Sequence, residues 1–450
     1  MVGSAFPLLP LALGGLAFNV ERRHLRKTTC EAKPVVVLGG GVMGRSTAWS
    51  LCRSGNHVVL LDGGHAEKGS WGESRIARLS YADPVMVRLA RRSYELYGTL
   101  SQKASQPIMY KTGCLDVSCR KDLLDNLAKT YEDLGQPYER LNHKQVEQRW
   151  PVLQLTTDYV QASVYCPEGD AVALGVVMET LKDQIHTLAG PAAYIDESVV
   201  SIDRQKKTVT TEDGTVISYS KLVLAAGIWT NGLLQKMNLS LLPLVATIEQ
   251  NTYYAPSKGR EPLYGISAMP VVKEHMPPPN GMKKFGGYMI PHMPNGVEGV
   301  KFGMHRQGPV LEHEDFPVLP GSAAAVERHF RSAQTRGRDL WCRRWPEDED
   351  SYLRSETDAY CKRILPSLQV HRSELTMRCP YDQHLYADED FVVGFHPDDP
   401  DVVVVAGFAG EGFKFAPAIG EMASSLITGQ TFAVPELIHR FRLNRPNYLK

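Results

Sequence analysis

Residues 34–44 read Pro-Val-Val-Val-Leu-Gly-Gly-Gly-Val-Met-Gly, and this stretch decides the fold. Its first five residues are apolar and mostly β-branched, which predicts a buried parallel strand. The glycines then follow the spacing G-x-G-x-x-G, and a helical pattern continues to about Arg53. A second apolar strand, residues 57–61, ends in Asp62, 18 residues after Gly44. Strand, glycine turn, helix, strand and acid, in this order, indicate the start of a doubly wound α/β sheet.

Each position in this unit has a physical task. Gly39 permits the tight turn, Gly41 lets the backbone approach a pyrophosphate, and Gly44 allows the helix to pack closely on the strand. The N–H groups at the start of the helix face the phosphates, and Asp62 accepts a hydrogen bond from a ribose hydroxyl. The unit therefore predicts an adenine dinucleotide site, without distinguishing NAD from FAD. The other interpretation is a glycine turn in an empty α/β unit.

The composition excludes several classes of protein. The chain has 450 residues with 50 basic and 50 acidic side chains, so it lacks the basic excess of a nucleic-acid-binding protein. No apolar run reaches the roughly 18 residues that a membrane-spanning helix needs. The eight cysteines show no CxxC or Cys/His spacing, so we predict no metal site. With 43% hydrophobic and 22% charged residues, the chain is expected to be globular, with two or three domain-sized units.

The two ends of the chain give little information about targeting to a cellular compartment. Residues 5–18 are mostly apolar and precede a basic cluster, as in a presequence, but Pro7 and Pro10 would interrupt a helix there. We therefore treat residues 1–33 as a disordered leader or an organellar targeting segment, and we expect an intracellular protein. Residues 448–450, Tyr-Leu-Lys, are not a Ser-Lys-Leu-type peroxisomal signal.

Downstream residues continue the alternation of helices and strands. Apolar periodicity predicts helices that include residues 86–100, 122–134, 171–188 and 417–426. Residues 221–227 and 401–407 form two more apolar strands that run into glycine loops. Both ends of the chain therefore supply parallel strands to one sheet edge, which is where open α/β sheets bind their ligands.

These patterns predict an α/β protein in which a Rossmann-type dinucleotide-binding domain is assembled from both chain ends, with an inserted mixed-sheet α+β substrate domain. The cofactor domain takes in about residues 34–82, 165–235 and 378–430, and the substrate domain about 83–164 and 236–377. Residues 317–355 are polar and charged and are predicted to be an insertion, and residues 441–450 a tail.

Four segments along the chain carry a resemblance to a known family. They are the glycine fingerprint with Asp62, the run Gly-Ser-Trp-Gly-Glu-Ser-Arg-Ile-Ala-Arg at 69–78, Cys-Pro-Tyr at 379–381 followed by Asp-Phe-Val-Val at 390–393, and residues 407–415 with their Gly-x-Gly-Phe-Lys-Phe ending. Together they resemble the sarcosine oxidase and pipecolate oxidase family of FAD-dependent amine oxidases, which are D-amino-acid-oxidase-like flavoenzymes. The resemblance covers about residues 34–440, apart from the predicted insertion.

The resemblance implies the parts of an active site. Arg78 and Lys414 match the pair that binds the substrate carboxylate, a task that suits a planar guanidinium and an ammonium. Lys301 resembles the lysine that activates oxygen by holding positive charge against the flavin. Arg75 matches the arginine beside the flavin ring. The predicted catalytic residues are Arg75, Arg78, Tyr288, Lys301, Tyr381 and Lys414, where the two tyrosines either line the substrate cavity or belong to the core.

The resemblance also implies how FAD is held. Cys379 matches the cysteine through which this family commonly attaches the flavin by a thioether at its 8-methyl group. The other interpretation is a structural thiol beside FAD that is not covalently bound. The predicted cofactor-binding residues are Gly39, Gly41, Val42, Met43, Gly44, Asp62, Ser70, Ser74, Arg75, Val199, Ala226, Gly227, Cys379, Gly410, Gly412, Phe413 and Lys414.

Two positions depart from the family pattern. Glu411 stands where the family usually has histidine, and Trp71 stands in a stretch that usually contains one. Glu411 either pairs with a substrate ammonium or competes with the substrate carboxylate for Lys414. Both effects would move the specificity away from simple sarcosine.

The resemblance implies an FAD-dependent oxidase of a secondary amine in an N-methyl or cyclic amino acid, which yields an imine and hydrogen peroxide. Its expected partners are a small carboxylated amine and molecular oxygen, with no nucleic acid and no membrane, and a monomer is favoured. Two alternatives stay open. One is a flavin dehydrogenase that passes electrons to an acceptor other than oxygen, and the other is a nonenzymatic FAD-binding protein.

Overall fold

The structure is a computed structural model, and the part of the chain that it describes excludes most of the predicted leader. The described residues are 32–65, 68–155, 160–276, 286–294, 296–305, 308–330, 341–342, 349–368, 373–385, 389–446 and 448. Residues 1–31 of the predicted leader lie outside them, as do residues 331–340 and 343–348 of the predicted insertion. The unit Lys33–Lys450 contains the fold described below.

The described strands alternate with helices along the first half of the chain and follow one another closely in the second. In chain order the strands are β1 (Val35–Leu38), β2 (Val58–Leu61), β3 (Ser74–Arg78), β4 (Met109–Lys111), β5 (Cys114–Ser118), β6 (Glu139–Leu141), β7 (Ala162–Cys166), β8 (Gly169–Ala173), β9 (Tyr194–Ile195), β10 (Val199–Asp203), β11 (Thr208–Thr211), β12 (Val216–Ser218), β13 (Lys221–Leu224), β14 (Leu244–Tyr254), β15 (Val271–His275), β16 (Gly286–Ile290), β17 (Val300–His305), β18 (Val310–Leu311), β19 (Trp341–Cys342), β20 (Ser373–His384), β21 (Val392–His396) and β22 (Asp399–Ala406).

Some of the described helices begin after a residue whose side chain caps the helix N-terminus. Asp83, for example, caps the second helix by accepting a hydrogen bond from the Val85 N–H, and a proline follows it at the first helical position. The α-helices are α1 (Val42–Arg53), α2 (Pro84–Ser101), α3 (Lys121–Asp133), α4 (His143–Arg149), α5 (Leu174–Ala189), α6 (Thr230–Lys236), α7 (Ala323–Phe330), α8 (Ser351–Ile364), α9 (Ala416–Thr428) and α10 (Glu436–Phe441).

Six strands form the sheet that holds the glycine loops, in the order β21-β22-β13-β1-β2-β9. Strand β1 pairs in parallel with β2 and β13, and β22 continues the parallel run beyond β13. Leu38 stands opposite both Leu61 and Leu224, so the carboxyl ends of three strands are level. Two strands of the sheet come from the start of the chain and two from its end. The predicted α/β fold, with one sheet assembled from both chain ends, is confirmed.

Alternation along β1 buries both faces of this sheet. Val35 and Val37 belong to the core cluster that is shared with α1, α2, α5 and α9, whereas Val36 and Leu38 belong to the cluster on the opposite face. The residues of β10–β12, which form a three-stranded antiparallel sheet, contribute to that second cluster. A strand buried on both sides is continuously apolar rather than alternating, as the sequence of β1 is.

The second large sheet contains ten of the described strands. Its order is β19-β18-β14-β17-β16-β15-β5-β7-β6, and β20 also pairs with β14. Most of its pairs are antiparallel, but β15 and β5 are parallel, so the sheet is mixed. A small antiparallel sheet, β3-β8-β4, carries the Arg75–Arg78 segment. The predicted boundaries of the cofactor and substrate domains stay a prediction.

One helix starts later than its sequence pattern predicts. The periodicity predicts a helix over 171–188, whereas α5 begins at Leu174. Residues 171–173 belong to β8 instead, because they pair with β3 and with β4. Within the described residues, no helix is both long enough and apolar enough to cross a bilayer.

The glycine at the start of α1 gives a direct test of the packing. A β-carbon on Gly44 would overlap the backbone carbonyl oxygen of Gly39, whereas a β-carbon on Gly98 of α2 meets no atom within 4 Å. Both glycines lie inside helices. We expect Gly44→Ala to lower the free energy of unfolding by about 1–3 kcal/mol because the backbone must shift. Gly98→Ala should raise it by about 0.5–1 kcal/mol. Urea unfolding of both variants checks this, and equal effects would contradict the close contact.

Candidate functional site

The carboxyl edge of the six-stranded sheet opens into a cavity of about 360 Å³. The loop after β1 forms one wall in a conformation that only glycine accepts. Gly39 has φ +112°, and a β-carbon there would overlap the Ala225 carbonyl group at the end of β13. A β-carbon on Gly40 would overlap the Asp62 carboxylate. The loop therefore packs too closely on Ala225 and Asp62 for a side chain at these two positions, and a ligand in the cavity would meet backbone there.

Asp62 ends β2 at the cavity wall and is held there by three neighbours. Its carboxylate accepts a hydrogen bond from the Tyr194 hydroxyl at 2.9 Å, and it pairs with Lys68 at 3.3 Å and Arg45 at 3.5 Å. Burial alone would raise the pKa of Asp62, but the Lys68 charge and the hydrogen bonds from Tyr194 and Gly64 outweigh burial and lower it. Asp62 is therefore an ionised acceptor at the edge of the cavity.

Most of the predicted cofactor-binding residues line this cavity. Gly44 does not, because it packs against the Gly39 loop. Ser74, Cys379 and Lys414 line a neighbouring chamber instead. Those that line the cavity itself are Gly39, Gly41, Val42, Met43, Asp62, Ser70, Arg75, Val199, Ala226, Gly227, Gly410, Gly412 and Phe413.

The neighbouring chamber has a volume of about 70 Å³. It shares Arg75, Tyr381, Gly410 and Phe413 with the larger cavity, so the two spaces meet at these residues. All of the predicted catalytic residues line this chamber: Arg75, Arg78, Tyr288, Lys301, Tyr381 and Lys414. The sequence segments that contain them are therefore brought to one place by the fold.

One face of the ten-stranded sheet supplies much of the chamber. Residues that stand opposite each other on paired strands lie on the same face, as do residues two apart on one strand. Tyr288 on β16 stands opposite Gly303 on β17, so Lys301 and His305, two residues to either side of Gly303, share its face. Glu249 on β14 stands opposite Cys379 on β20, and Asn251 opposite Gly303. The pleat of the sheet thus collects these side chains from separate hairpins.

The opposite side of the chamber comes from β3 and the loop before α9. The Arg78 side chain is buried, donates to the Ser80 backbone carbonyl and hydroxyl, and lies 3.5 Å from the Glu411 carboxylate. Lys414 Nζ donates to the Glu411 backbone carbonyl at 2.9 Å. Both cations also lie near one aromatic ring, since the Arg78 guanidinium lies 4.6 Å and Lys414 Nζ 5.9 Å from the Tyr81 ring centroid. In the structure the Glu411 carboxylate therefore pairs with Arg78, and Lys414 donates to the backbone carbonyl of Glu411.

Burial lowers the pKa of Lys301. Its Nζ donates to the Ser74 carbonyl at 3.1 Å and lies 5.7 Å from the Tyr253 ring centroid. Burial is the larger cause and the Arg75 charge the next, and together they bring the pKa of Lys301 to about 7. Lys301 is therefore divided between its charged and neutral forms near neutral pH.

Cys379 lies where the two spaces adjoin. Its neighbours in sequence, Pro380 and Tyr381, line the larger cavity, and Cys379 itself lines the chamber. Arg75 Nη2 is 3.9 Å from its sulfur. Burial raises the pKa of Cys379, although the charges of Arg75 and Lys301 oppose that rise.

Several chamber residues were missed from the sequence. Asn251 accepts a hydrogen bond from the Tyr288 hydroxyl, and the His305 ring lies 6.2 Å from the Tyr381 ring. Lys273, from β15, also lines the chamber. In the sequence, these residues are marked only by the two-residue periodicity of β14, β15 and β17. That periodicity does not indicate which face of each strand lines the site. Within the described part of the chain, no group of three or more His, Cys, Asp or Glu side chains is arranged to hold a metal ion.

A dinucleotide cavity beside a buried cationic chamber defines a flavin-type oxidoreductase site. Residues 34–426 match the family described as "DAO: FAD dependent oxidoreductase", and the chain belongs to this family. Its predicted class, an FAD-dependent oxidoreductase, is thereby confirmed. The glycine walls and Asp62 fit the adenosine diphosphate half of FAD, and the junction of cavity and chamber fits the flavin half.

Comparison with individual proteins agrees with the family. The chain is 25% identical over 398 residues to the N-methyl-L-tryptophan oxidase of Yersinia pestis (strain Pestoides F), covering 87% of this chain and 93% of that protein. Among solved structures, the fold is similar to L-proline dehydrogenase from P. horikoshii, with a TM-score of 0.67, 19% identity and coverage of 90% and 96%. It is also similar to NikD, an amino acid oxidase of nikkomycin biosynthesis, with a TM-score of 0.67, 21% identity and coverage of 90% and 95%.

The ribose contact predicted for Asp62 can be measured as affinity for FAD. In a Cys379→Ser background, in which no thioether to FAD can form, we expect Asp62→Asn to raise the Kd of FAD about 10–100-fold, since a neutral amide replaces the charged acceptor. Titration of the deflavinated protein with FAD, followed by flavin fluorescence, provides the measurement. Asp122→Asn on the exposed start of α3 is the matched control. The same Kd in both variants would remove Asp62 from the cofactor site.

Proposed function

We propose that the chain is an FAD-dependent oxidase of a secondary amine in a small N-methyl or cyclic amino acid, which forms an imine and hydrogen peroxide. The observation that supports this most strongly is the burial of Arg78, Lys301 and Lys414 around one chamber that adjoins the dinucleotide cavity. Buried positive charge next to a flavin site suits an anionic substrate. The name of the N-methyl-L-tryptophan oxidase relative supports the same class of reaction.

The substrate carboxylate is proposed to bind between Arg78 and Lys414. Both cations lie against the Tyr81 ring, which fixes their positions from one side. The Glu411 carboxylate already contacts Arg78, so the substrate must share that guanidinium or displace Glu411 from it. A glutamate displaced in this way would face the substrate amine and favour a positively charged or hydrogen-bonding nitrogen. The carboxylate thus orients the carbon next to nitrogen toward the cofactor.

Bound FAD would supply the redox chemistry, as the acceptor of the hydride equivalent from the carbon next to the amine nitrogen. The chain's own contribution is orientation and charge. Arg75 places positive charge at the junction of cavity and chamber, and protonated Lys301 adds positive charge from the chamber side. This charge would offset the negative charge that develops during reduction and during the reaction with oxygen. Lys301 is the proposed oxygen-activating cation, and Tyr288 and Tyr381 are proposed to shape the chamber beside it.

The size of the chamber favours a small substrate. A volume of about 70 Å³ corresponds to about five to seven water molecules when each needs roughly 10–15 Å³. A substrate with the bulk of sarcosine or pipecolate suits this space better than N-methyltryptophan does. The proposed substrate class is therefore smaller than the one in the relative's name.

The test of this function is peroxide release in air from a panel of amines. The purified FAD-containing protein should release peroxide with sarcosine, other small N-methyl amino acids or pipecolate.

Arg78→Ala should raise the KM for carboxylated amines about 100-fold, because a buried charge partner is lost. Arg88→Ala, at an exposed position of α2, is the control. Equal changes for amines with and without a carboxylate would reject the carboxylate site, and substrate reduction of FAD without peroxide would identify a dehydrogenase.

We also propose that FAD is attached through a thioether at Cys379. The position of Cys379 where cavity and chamber adjoin supports this, as does the positive charge of Arg75 beside its sulfur. Acid precipitation should leave a yellow pellet with the native protein and a colourless pellet with Cys379→Ser. Cys361→Ser, which changes a buried thiol of α8 remote from the chamber, is the control and should keep the yellow pellet. A colourless native pellet would show that FAD is held noncovalently.

A further inference from the structure

Lys273 is a buried cation that the proposed reaction does not use. It lies in the middle of β15, is 8% exposed, and lines the chamber. On the neighbouring strand it stands opposite Tyr288, so it shares the sheet face that carries Tyr288 and Lys301. Lysine is among the residue types that are almost never fully buried unless they are paired.

The other four cations of the chamber all have hydrogen-bond acceptors in the protein. Arg75 donates to backbone carbonyls, including that of Gly69 at 2.8 Å, and Lys301 donates to the carbonyl of Ser74. Arg78 and Lys414 bond to groups described above. For Lys273, no direct hydrogen bond or ion pair of Nζ is found within the described residues, and the carboxylates of Glu411, Glu274 and Asp116 act on it only as nearby charges.

The side chains that line the chamber carry more positive than negative charge. Its lining contains five cationic side chains and one carboxylate, that of Glu411, and this carboxylate is 3.5 Å from Arg78. One substrate carboxylate bound by Arg78 and Lys414 would still leave Lys273 without an anion in direct contact, although Asp116 on β5 and Glu411 contribute negative charge nearby. Burying an ammonium group removes its hydration, and this cost is large unless a partner group in direct contact offsets it. A ligand that brings a second anion would offset that cost.

We propose that the chamber recognises a second anionic group through Lys273, so that the preferred substrate is a short dicarboxylic amino acid with a secondary amine, of the N-methylaspartate type. This inference rests on the proposed oxidase function and names its substrate class more closely. Lys273 is then a specificity-determining residue that binds the side-chain carboxylate, while Arg78 and Lys414 bind the α-carboxylate.

The surroundings of Lys273 support a short distance between the two anions. Lys273 and Arg78 both line one chamber of about 70 Å³. Burial and then the Arg78 charge lower the pKa of Lys273, whereas the charges of Glu411, Glu274 and Asp116 oppose that shift. The resulting pKa is about 8, which leaves the Lys273 ammonium mostly protonated at neutral pH. The small chamber volume also excludes long side chains. Two carboxylates separated by two or three carbons fit both observations.

Binding of unreactive acids to the FAD-containing protein tests this inference without catalysis. We expect succinate to bind at least about tenfold more tightly than butyrate, which has the same chain length and one carboxylate. Lys273→Met should abolish that preference and Lys273→Arg should retain it. Lys121→Met, an exposed lysine of α3, is the control and should keep it. Calorimetric titration gives each Kd, and thermal unfolding confirms that each variant is folded.

The outcomes separate this inference from the proposed function. N-methyl-L-aspartate should reduce bound FAD more efficiently than N-methyl-L-asparagine, its uncharged isostere, and the ratio should collapse in Lys273→Met. Equal binding of succinate and butyrate by the native protein would overturn the inference whether or not any variant folds, as would a succinate preference that persists in Lys273→Met. If succinate is preferred but no amine reduces the FAD, the oxidase function fails while the second anion site stands.

Discussion

The molecule depends on how closely α1 approaches the loop that follows β1. The carbonyl oxygen of Gly39 occupies the space that a β-carbon of Gly44 would need, so helix and loop meet backbone to backbone. This contact sets the start of α1 beside the end of β2, where Asp62 is held by Tyr194 and a lysine. Because the neighbouring parallel strands end level with β1, the loops from the far end of the chain close the same cavity. The same packing thus assembles the sheet and forms the walls of the cavity proposed for FAD.

The reactive chamber depends on a different regularity, the pleat of the ten-stranded sheet. Strand pairing places Lys273, Tyr288 and Lys301 on one face, although each belongs to a separate strand. The loop before α9 brings Lys414 and Glu411 against that face from the cofactor side. Neither element forms the chamber alone. The chamber therefore needs elements of both large sheets. Its lining is locally positive, although the charges of the whole chain sum to zero.

Local sequence predicts the cofactor half of this arrangement and only part of the chamber. The glycine spacing and the apolar strands are local patterns that are typical of one structural unit, so β1, α1, β2 and the position of Asp62 could be predicted. The start of α5 was misplaced because residues 171–173 satisfy a helical periodicity but pair with two strands. Lys273 was not predicted because the sequence of β15 does not indicate which of its two faces lines the site. Only the pairing of β15 with distant strands decides this. The pairing of Glu411 with Arg78, 333 positions apart, likewise has no local signal.

The central claim is that one chain holds FAD and a carboxylated secondary amine in adjoining spaces, so that the amine reduces the cofactor. Anaerobic mixing of the purified protein with small N-methyl and cyclic amino acids tests it most directly, with the visible absorbance of bound FAD as the signal. The account predicts that this absorbance is lost, with one imine-derived product formed for each FAD reduced. A protein that holds FAD, is bleached by a chemical reductant and yet is bleached by no amine would contradict it.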